Sequence, residues 1–226
     1  METENGKAWG MEKVFIERAD ALRGLAELGV SNAQFALGLM YEVGEGVEQD
    51  IDQAVKWYGK AAEQGHVQAQ CNLALIHTCD KWQDMALAAK WFRAAAEQGH
   101  AKSQYNLACL YGLGDGVKQD FAAARAWFLK AAEQGLADAQ FSLGGMHLEG
   151  EGVKQDSAAA LEWYRKAAEG GHVDAQFNLG VMYEAGEGVE QDLAEAAKWY
   201  SKAAAQGHED AKKRMRKLGF GSLNRE

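Results

Sequence analysis

Four residues in the first half of the chain are of the types that bind zinc. Cys71, His77 and Cys79 lie close together in sequence, and Cys109 follows further along the chain. Thiolate and imidazole groups are preferred zinc ligands in proteins. Whether these side chains can share one ion depends on the structural elements that carry them.

A loop rich in glycine and acidic residues recurs and could hold a phosphate or a cation. It reads YEVGEGVEQD at 41–50 and YEAGEGVEQD at 183–192, with looser copies at 111–120 and 146–156. A phosphate-binding Walker loop needs G-K-[ST] after its glycines, and an EF-hand needs regularly spaced Asp or Asn and a terminal Glu. Neither pattern is present, so we interpret the loop as a joint between two helices.

Nucleophilic catalysis finds no support in the sequence. The active-serine motif S-x-x-K is absent after every serine, and neither G-x-S-x-G nor H-E-x-x-H occurs. The serines concerned are Ser31, Ser103, Ser142, Ser157, Ser201 and Ser222. We therefore expect a protein that is not an enzyme and has no cofactor, no catalytic residues and no metal site.

The elements that position these residues follow from a repeat. A segment close to AAEQGH recurs along the chain, and its glycines are 34 or 36 residues apart. These glycines are Gly29, Gly65, Gly99, Gly135, Gly171 and Gly207. A fixed period in this range is typical of a solenoid of small helical units.

Each unit is predicted to contain two helices. In the first full unit, apolar residues at helical spacing predict a helix over about 32–43, which Gly44 would end in the left-handed conformation. Asp50 would cap the second helix, which ends at Gly65. The same capping aspartate recurs at Asp120, Asp156 and Asp192. Gln53 and Glu195, three residues after their aspartates, predict reciprocal capping boxes.

Small residues on the first helix and aromatic residues on the second predict close packing. Gly38, Gly144 and Gly180 would let an aromatic ring of the second helix approach. Two aromatic series recur, and we expect both to pack in the core or between repeats. They are Trp57, Trp91, Trp127, Trp163 and Trp199, followed by Tyr58, Phe92, Phe128, Tyr164 and Tyr200.

The pattern A-x-x-x-L-G-x-x-Y-x-x-G-x-G-V-x-x-D-x-x-x-A-x-x-W-Y-x-x-A-A-x-x-G-H resembles the Sel-1-like repeat, a relative of the tetratricopeptide repeat. The resemblance covers five units, at 31–66, 67–100, 101–136, 137–172 and 173–208. It implies an all-α, right-handed superhelical solenoid of helix–turn–helix repeats. Residues 1–30 would form an N-terminal segment with a degenerate capping helix, and residues 209–226 a basic C-terminal capping helix and tail.

The repeat register places the candidate zinc ligands in the core. Cys71 takes the position of Phe35, and His77 takes that of Tyr41, so both are expected to be packing substitutions. Relatives in the secreted, cysteine-rich branch carry disulfides at positions that here are Ala62 and Gln70. The chain therefore departs from that branch.

The resemblance implies an interaction scaffold whose first helices line a concave groove for a protein or peptide. The groove positions would be Asn32, Leu39, Glu42, Val43, Gln68, Leu75, Thr78, Cys79, Lys102, Cys109, Leu113, Asp138, Leu148, Glu149, Asp174, Val181 and Glu184. This surface is apolar with an acidic fringe, so a partner with basic and apolar residues would suit it. The alternatives are a dedicated inhibitor or immunity-type protein, and a hydrolase of the β-lactam-binding branch.

Repeat two departs from the pattern. Its joint, IHTCDKWQD at 76–84, is two residues shorter and lacks glycine. Trp82 there could fill the space under a tighter loop, or it could be an exposed hot spot for a partner. His66, His100, His172 and His208 are expected to hydrogen-bond at the repeat junctions or to favour the helix C-terminal dipole.

Composition and charge limit the remaining possibilities for partner class, membrane insertion and cellular compartment. The net charge of −9 disfavours nucleic acid, since that binding depends on Lys and Arg neutralising phosphates. Charged residues interrupt the first thirty positions, so no signal peptide is expected, and no apolar run is long enough to span a membrane. Three cysteines, an odd number, fit a reducing cytoplasm. We expect a monomer or a weak oligomer.

Overall fold

The computed structural model describes residues 17–219, and this part of the chain is all-α, as predicted. It contains twelve α-helices, one short 3-10 turn at Asp80–Trp82 and no strand. The helices are α1 (17–27), α2 (Ser31–Val43), α3 (Ile51–Glu63), α4 (Val67–Ile76), α5 (Met85–Glu97), α6 (Ala101–Leu113), α7 (Phe121–Glu133), α8 (Ala137–Glu149), α9 (Ser157–Glu169), α10 (Val173–Ala185), α11 (Leu193–Ala205) and α12 (Glu209–Lys217). The right-handed superhelical sense stays a prediction.

The glycine-rich loop is a helix–turn–helix joint. Gly44 ends α2 with φ 78° and donates its backbone N–H to Met40 O. Asp50 begins α3, and its carboxylate accepts the backbone N–H of Gln53 at 3.0 Å. The reciprocal capping box is wrong, because the Asp50 backbone N–H donates instead to Tyr41 O across the joint. The same backbone bond joins Asp192 to Tyr183 and replaces the capping box predicted for Glu195.

The joint carries a second cap that the sequence reading missed. Gln49 in the joint donates its side-chain amide to the Glu42 carbonyl at 2.8 Å, near the end of α2. Terminal helix carbonyls lack partners inside the helix, so this bond satisfies one of them. The equivalent glutamines, Gln119, Gln155 and Gln191, donate in the same way. The glutamine of the V-x-Q-D motif is therefore a C-terminal cap.

The chain forms two compact units, each built of stacked helix pairs. One extends to Ser103 and includes Asp115–Val117, and the other comprises Gln104–Gly114 and the chain from Lys118 onward. In the first unit, Tyr58 is fully buried and lies on Gly38, where an added Cβ would be 2.7 Å from the ring. In the second, Tyr164 and Tyr200 lie on Gly144 and Gly180 in the same way. The predicted role of the small residues is confirmed.

The tryptophans pack between repeats, as expected, but most are only half buried. Trp57 packs against the cluster of Ala26, Ala33 and Leu37, which belongs to the preceding helices. A lysine ammonium covers the Trp57 ring, with Lys60 Nζ 4.0 Å from its centroid. Lysines also cover the rings of Trp91, Trp127, Trp163 and Trp199. Each of these rings is therefore held by contacts with a core cluster and with a lysine ammonium.

The terminal segments are described in part. Helix α1 contributes the buried Ala19 and Ala26, and α12 contributes Ala211, which packs against α11. Residues 1–16 and 220–226 of the predicted capping segments lie outside the described residues. Between 17 and 219, no helix combines the length and the apolar character that crossing a bilayer requires.

The junction histidines cap the helix that follows them. His66 Nδ1 accepts the backbone N–H of Ala69 at 3.2 Å, in the first turn of α4. His100, His172 and His208 accept in the same way from Ser103, Ala175 and Ala211. The predicted hydrogen bond is confirmed, but the C-terminal dipole role is wrong, because each ring serves a helix N-terminus. A ring nitrogen that accepts a hydrogen bond must itself be unprotonated.

This geometry predicts a loss of stability in mild acid. Burial lowers the pKa of His66 and of His100 below the ordinary value of 6.5. The unfolded chain then binds these protons more readily, so the caps contribute fully above about pH 6.5 and are lost as the pH falls towards the folded pKa. Thermal melts at pH 7.5 and pH 5.5 should show a lower melting temperature in acid.

The matched control is His66→Asn combined with His100→Asn. Asparagine keeps a capping oxygen but does not titrate in this range. The double variant should therefore lose less stability between the two pH values. An equal loss in both proteins would mean that other groups cause the pH dependence.

Candidate protein-binding surface

In the first unit, apolar side chains of the first helices α2 and α4 face solvent. Leu39 is 40% exposed, Val43 58% and Leu75 44%. Large aliphatic side chains lie mostly in protein interiors, and those left exposed are available for contact with a partner. All three are positions that the repeat register predicted for partner binding. We call the predicted positions on the first helices the first-helix surface.

The polar members of the first-helix surface in this unit have different roles. Asn32, Gln68 and Lys102 are exposed on the first turns of their helices. Glu42 is half buried and accepts the hydroxyl proton of Tyr58, which also accepts from Asn72 Nδ2 at 3.1 Å. Burial, reinforced by this carboxylate, raises the pKa of Tyr58 above its ordinary value of 10.0. Glu42 is therefore engaged within the fold.

Thr78 and Cys79, the two remaining positions of the first-helix surface in this unit, follow shortly after the end of α4. Thr78 donates its hydroxyl to Leu75 O at 2.7 Å, and the exposed Cys79 thiol contacts the same carbonyl at 3.6 Å. Both bonds stay local and leave the Leu75 side chain facing solvent. The apolar side chain, rather than these polar groups, is the part of this helix end that is free for a partner.

In the second unit the predicted positions divide into exposed and packed residues. Leu113 is 69% exposed, and Asp138, Glu149 and Asp174 are exposed acids. Val181 and Cys109 are half buried. Asp138 and Asp174 lie near the junction histidines, 3.5 Å from His172 Nε2 and 3.6 Å from His208 Nε2. The predicted positions of this unit thus include one strongly exposed apolar side chain, Leu113, and three exposed acids.

Two predicted positions of this unit act mainly inside the fold. Leu148 is half buried and packs against the cluster that contains Leu161, Tyr164 and Met182. Glu184 accepts from Tyr200 Oη at 2.6 Å and from Arg214 Nη1 at 3.0 Å. Sequence reasoning missed these contacts because the partners lie on the second helix or in the following repeat.

Trp82 has a structural role in the shortened joint. Its side chain is half buried against the Ala54–Tyr58 core cluster, and its indole Nε1 donates to Asp52 Oδ1 at 2.9 Å. The Trp82 carbonyl lies 3.0 Å from His77 Nδ1, which fixes the turn from the other side. These contacts favour the space-filling interpretation. The hot-spot role stays a competing hypothesis.

The candidate zinc ligands occupy separate environments. Cys71 is buried in the helix core, Cys79 is exposed, and His77 is committed to the Trp82 carbonyl. Among the described residues, no group of three or more His, Cys, Asp or Glu is placed to hold a metal ion. The structure thus does not bring the four residues together as a metal site.

Paired glutamines that the sequence reading did not single out join the repeats. Gln64 donates to the buried Gln34 side chain at 2.6 Å, and Gln34 donates to Ala26 O at 3.0 Å. The pairs Gln98–Gln70, Gln134–Gln104 and Gln206–Gln176 repeat this bond. The signal was present as the recurring Gln of AAEQGH. These bonds belong to the scaffold rather than to the exposed surface.

Comparison with protein families gives a match over most of the chain. The family model described as Sel1 repeat matches residues 31–66, 67–100, 101–136, 137–172 and 173–208. A comparison with curated protein sequences gives no significant match.

Solved structures show the same fold. A protective antigen of uropathogenic Escherichia coli with an SLR fold is 40% identical, with a TM-score of 0.85 over 92% of this chain and 45% of its own. The chain thus spans less than half of that antigen. A Sel1 repeat protein from Oxalobacter formigenes is 35% identical, with a TM-score of 0.77 over 88% of this chain and 81% of its own. An immunity protein from Pseudomonas aeruginosa is 20% identical, with a TM-score of 0.50 over 83% of this chain and 72% of its own, and shares the fold alone.

Proposed function

The chain belongs to the Sel1-repeat family, and on this basis we propose that it is a non-catalytic scaffold that binds a protein or peptide partner through its first-helix surface. Sel1 repeats mediate protein interactions. The inner faces of such arrays carry side chains that vary between units while the packing residues recur. The proposal concerns the surface of each unit taken by itself.

The observation that supports the proposal most strongly is the exposure of aliphatic side chains at the predicted positions. Leu39, Val43, Leu75 and Leu113 face solvent, whereas Leu37, Leu107, Leu143 and Leu179, at the packing positions of the same series of helices, are fully buried. The four exposed side chains are therefore not part of the hydrophobic core. Covering such side chains on binding would remove apolar area from water, which contributes about 25 cal/mol per Å² before the costs of association.

The partner we propose carries basic and apolar residues. Acidic side chains at Asp138, Glu149 and Asp174 are exposed on the first helices α8 and α10, which belong to the same series as the helices that carry the exposed apolar positions. Opposite charge speeds encounter and disfavours wrong partners more than it adds affinity. We place the protein in a reducing compartment such as the cytoplasm, since Cys71, Cys79 and Cys109 are free thiols in different surroundings.

The proposal can be tested by protein capture. The purified chain would be immobilised as bait, and retained proteins identified by mass spectrometry. A second bait would carry Leu39→Lys and Leu75→Lys, which place charges on the apolar surface of the first unit. We expect at least one protein that the wild type retains and the double variant loses.

The control bait is Leu193→Lys. Leu193 is 46% exposed, close to the 44% of Leu75, but it lies at the start of the second helix α11. This bait should retain the partner. Loss from both variants would indicate a non-specific charge effect, and retention by both would contradict the proposed surface.

A further inference from the structure

An open apolar cavity of about 440 Å³ lies between the third and fourth repeats, in the second unit. It is lined by residues of α6, α7 and α8, including Cys109, Gly112, Phe121, Phe128 and Met146. Its rim includes the exposed Leu113 and Glu151, so the cavity opens to solvent on the first-helix surface. Apolar walls with a few polar groups at the edge are typical of ligand-binding pockets.

The cavity exists because the repeat lacks one side chain. Gly112 takes the position that Leu148 has one repeat later, 36 residues along the chain. Leu148 packs there against the cluster of Leu161, Tyr164 and Met182. A Cβ added at Gly112 would meet nothing within 4 Å, which shows that the corresponding space is empty in repeat three.

Repeats one and five also place a long side chain at this position, whereas repeat two has the short Thr78. Glu184 in repeat five hydrogen-bonds to Tyr200, and Glu42 in repeat one to Tyr58. Repeat three has Phe128 in place of these tyrosines, so its cavity offers no hydroxyl to a polar group. The walls around Gly112 therefore suit an aliphatic group and disfavour a buried charge, because an unpaired buried charge is costly.

We propose that this cavity receives a leucine- or methionine-sized side chain from a partner segment, with a basic residue next to it. This inference rests on the proposed function and assigns it a specific anchor point. Leu148 is the internal template for the occupant, since the same fold fills the equivalent space with its own leucine. The basic residue would lie beside Glu151, the carboxylate on the rim of the cavity.

Peptide display on the full-length chain tests the proposal. Random twelve-residue peptides would be selected on the immobilised wild type, and the enriched peptides synthesised as probes for calorimetry. We expect them to share Leu or Met next to Lys or Arg. Gly112→Leu, which fills the cavity from within, should weaken their binding at least tenfold.

The matched control is Gly59→Leu. Gly59 is also a helical glycine whose added Cβ would meet nothing within 4 Å, but it lies on the second helix α3. Both variants gain helix propensity, so both should melt at or above the wild-type temperature. If Gly112→Leu melts lower, Gly112→Met replaces it, because methionine adapts to irregular gaps.

The outcomes separate the two proposals. Enriched peptides that bind Gly112→Leu as tightly as the wild type would overturn the cavity assignment and leave the scaffold function intact. Enriched peptides without the apolar consensus would also count against the cavity. Failure to enrich any peptide over a blank surface would contradict the scaffold function, and the cavity assignment with it.

The Cys109 thiol gives a local readout of occupancy. It lines the cavity, and burial raises its pKa, so the thiol is protonated and reacts slowly at neutral pH. A bound peptide should slow its alkylation by N-ethylmaleimide further, as followed by mass spectrometry of the Cys109 fragment. Unchanged alkylation at saturating peptide would place the peptide elsewhere.

Discussion

Gly116→Ala should destabilise the protein by about 3–5 kcal/mol, a large part of the stability of an ordinary domain. Gly116 has φ 67°, where an L side chain is strained, and its added Cβ would lie 2.1 Å from the Met85 carbonyl carbon. Met85 is the first residue of α5, so the obstacle is helix backbone and cannot rotate away. The joint and the helix would have to separate.

Gly99→Ala is the matched control for this prediction. Gly99 has φ 89°, but an added Cβ there would meet nothing within 4 Å. This variant should lower the free energy of unfolding by about 1–2 kcal/mol, the strain of an L residue in the left-handed conformation. Urea unfolding followed by circular dichroism would give both values. Equal costs for the two variants would show that the joint does not lie tightly on α5.

Tyr58→Ala should cost about 3–5 kcal/mol, because it leaves a large cavity in the first unit. Tyr58 is fully buried, and its ring lies directly on Gly38. Tyr58→Phe is the control, since it keeps the ring and removes only the hydroxyl that bonds to Glu42 and Asn72. Phe92 and Phe128 take this position in other repeats, so we expect the control to cost about 1 kcal/mol.

A double-mutant cycle tests whether Gly38 and Tyr58 fit each other. Gly38→Ala alone should destabilise by about 1–3 kcal/mol, since its Cβ would be 2.7 Å from the ring. In the Tyr58→Ala background the same change should cost little or even stabilise, because the methyl enters vacated space. Additive effects in the cycle would contradict this packing.

The repeated features of the fold could be predicted because each depends on local backbone chemistry. The glycine at 44 predicts a left-handed helix end, and the aspartate at 50 predicts a helix N-cap. Both predictions apply wherever these residues recur in the repeat. The capping box predicted at Gln53 does not form, because the Asp50 backbone N–H that it requires donates to the Tyr41 carbonyl across the joint. Such competition between local and cross-joint bonds is invisible in the pattern alone.

The candidate binding surface was less predictable, because the exposure of each side chain depends on the neighbouring repeat. Leu39 and Leu148 take nearby positions on equivalent helices, yet only Leu39 faces solvent, while Leu148 packs against the next helices. The cavity beside Gly112 arises from the absence of a side chain, and a sequence pattern marks this only as variation. Geometry was needed to distinguish an exposed position from an empty one.

We propose that the exposed side chains of the first helices bind the partner, while the rebuilt joint at Trp82 holds the fold. Calorimetric titration of the captured partner into Leu75→Lys and Trp82→Ala, beside thermal melts, tests it most directly. Leu75→Lys should keep its stability within about 0.5 kcal/mol and lose roughly 1–2 kcal/mol of binding free energy or more. Trp82→Ala should melt at a lower temperature and, while folded, bind as the wild type does. Normal binding by Leu75→Lys together with lost binding by a folded Trp82→Ala would contradict this assignment and place the site at the short joint.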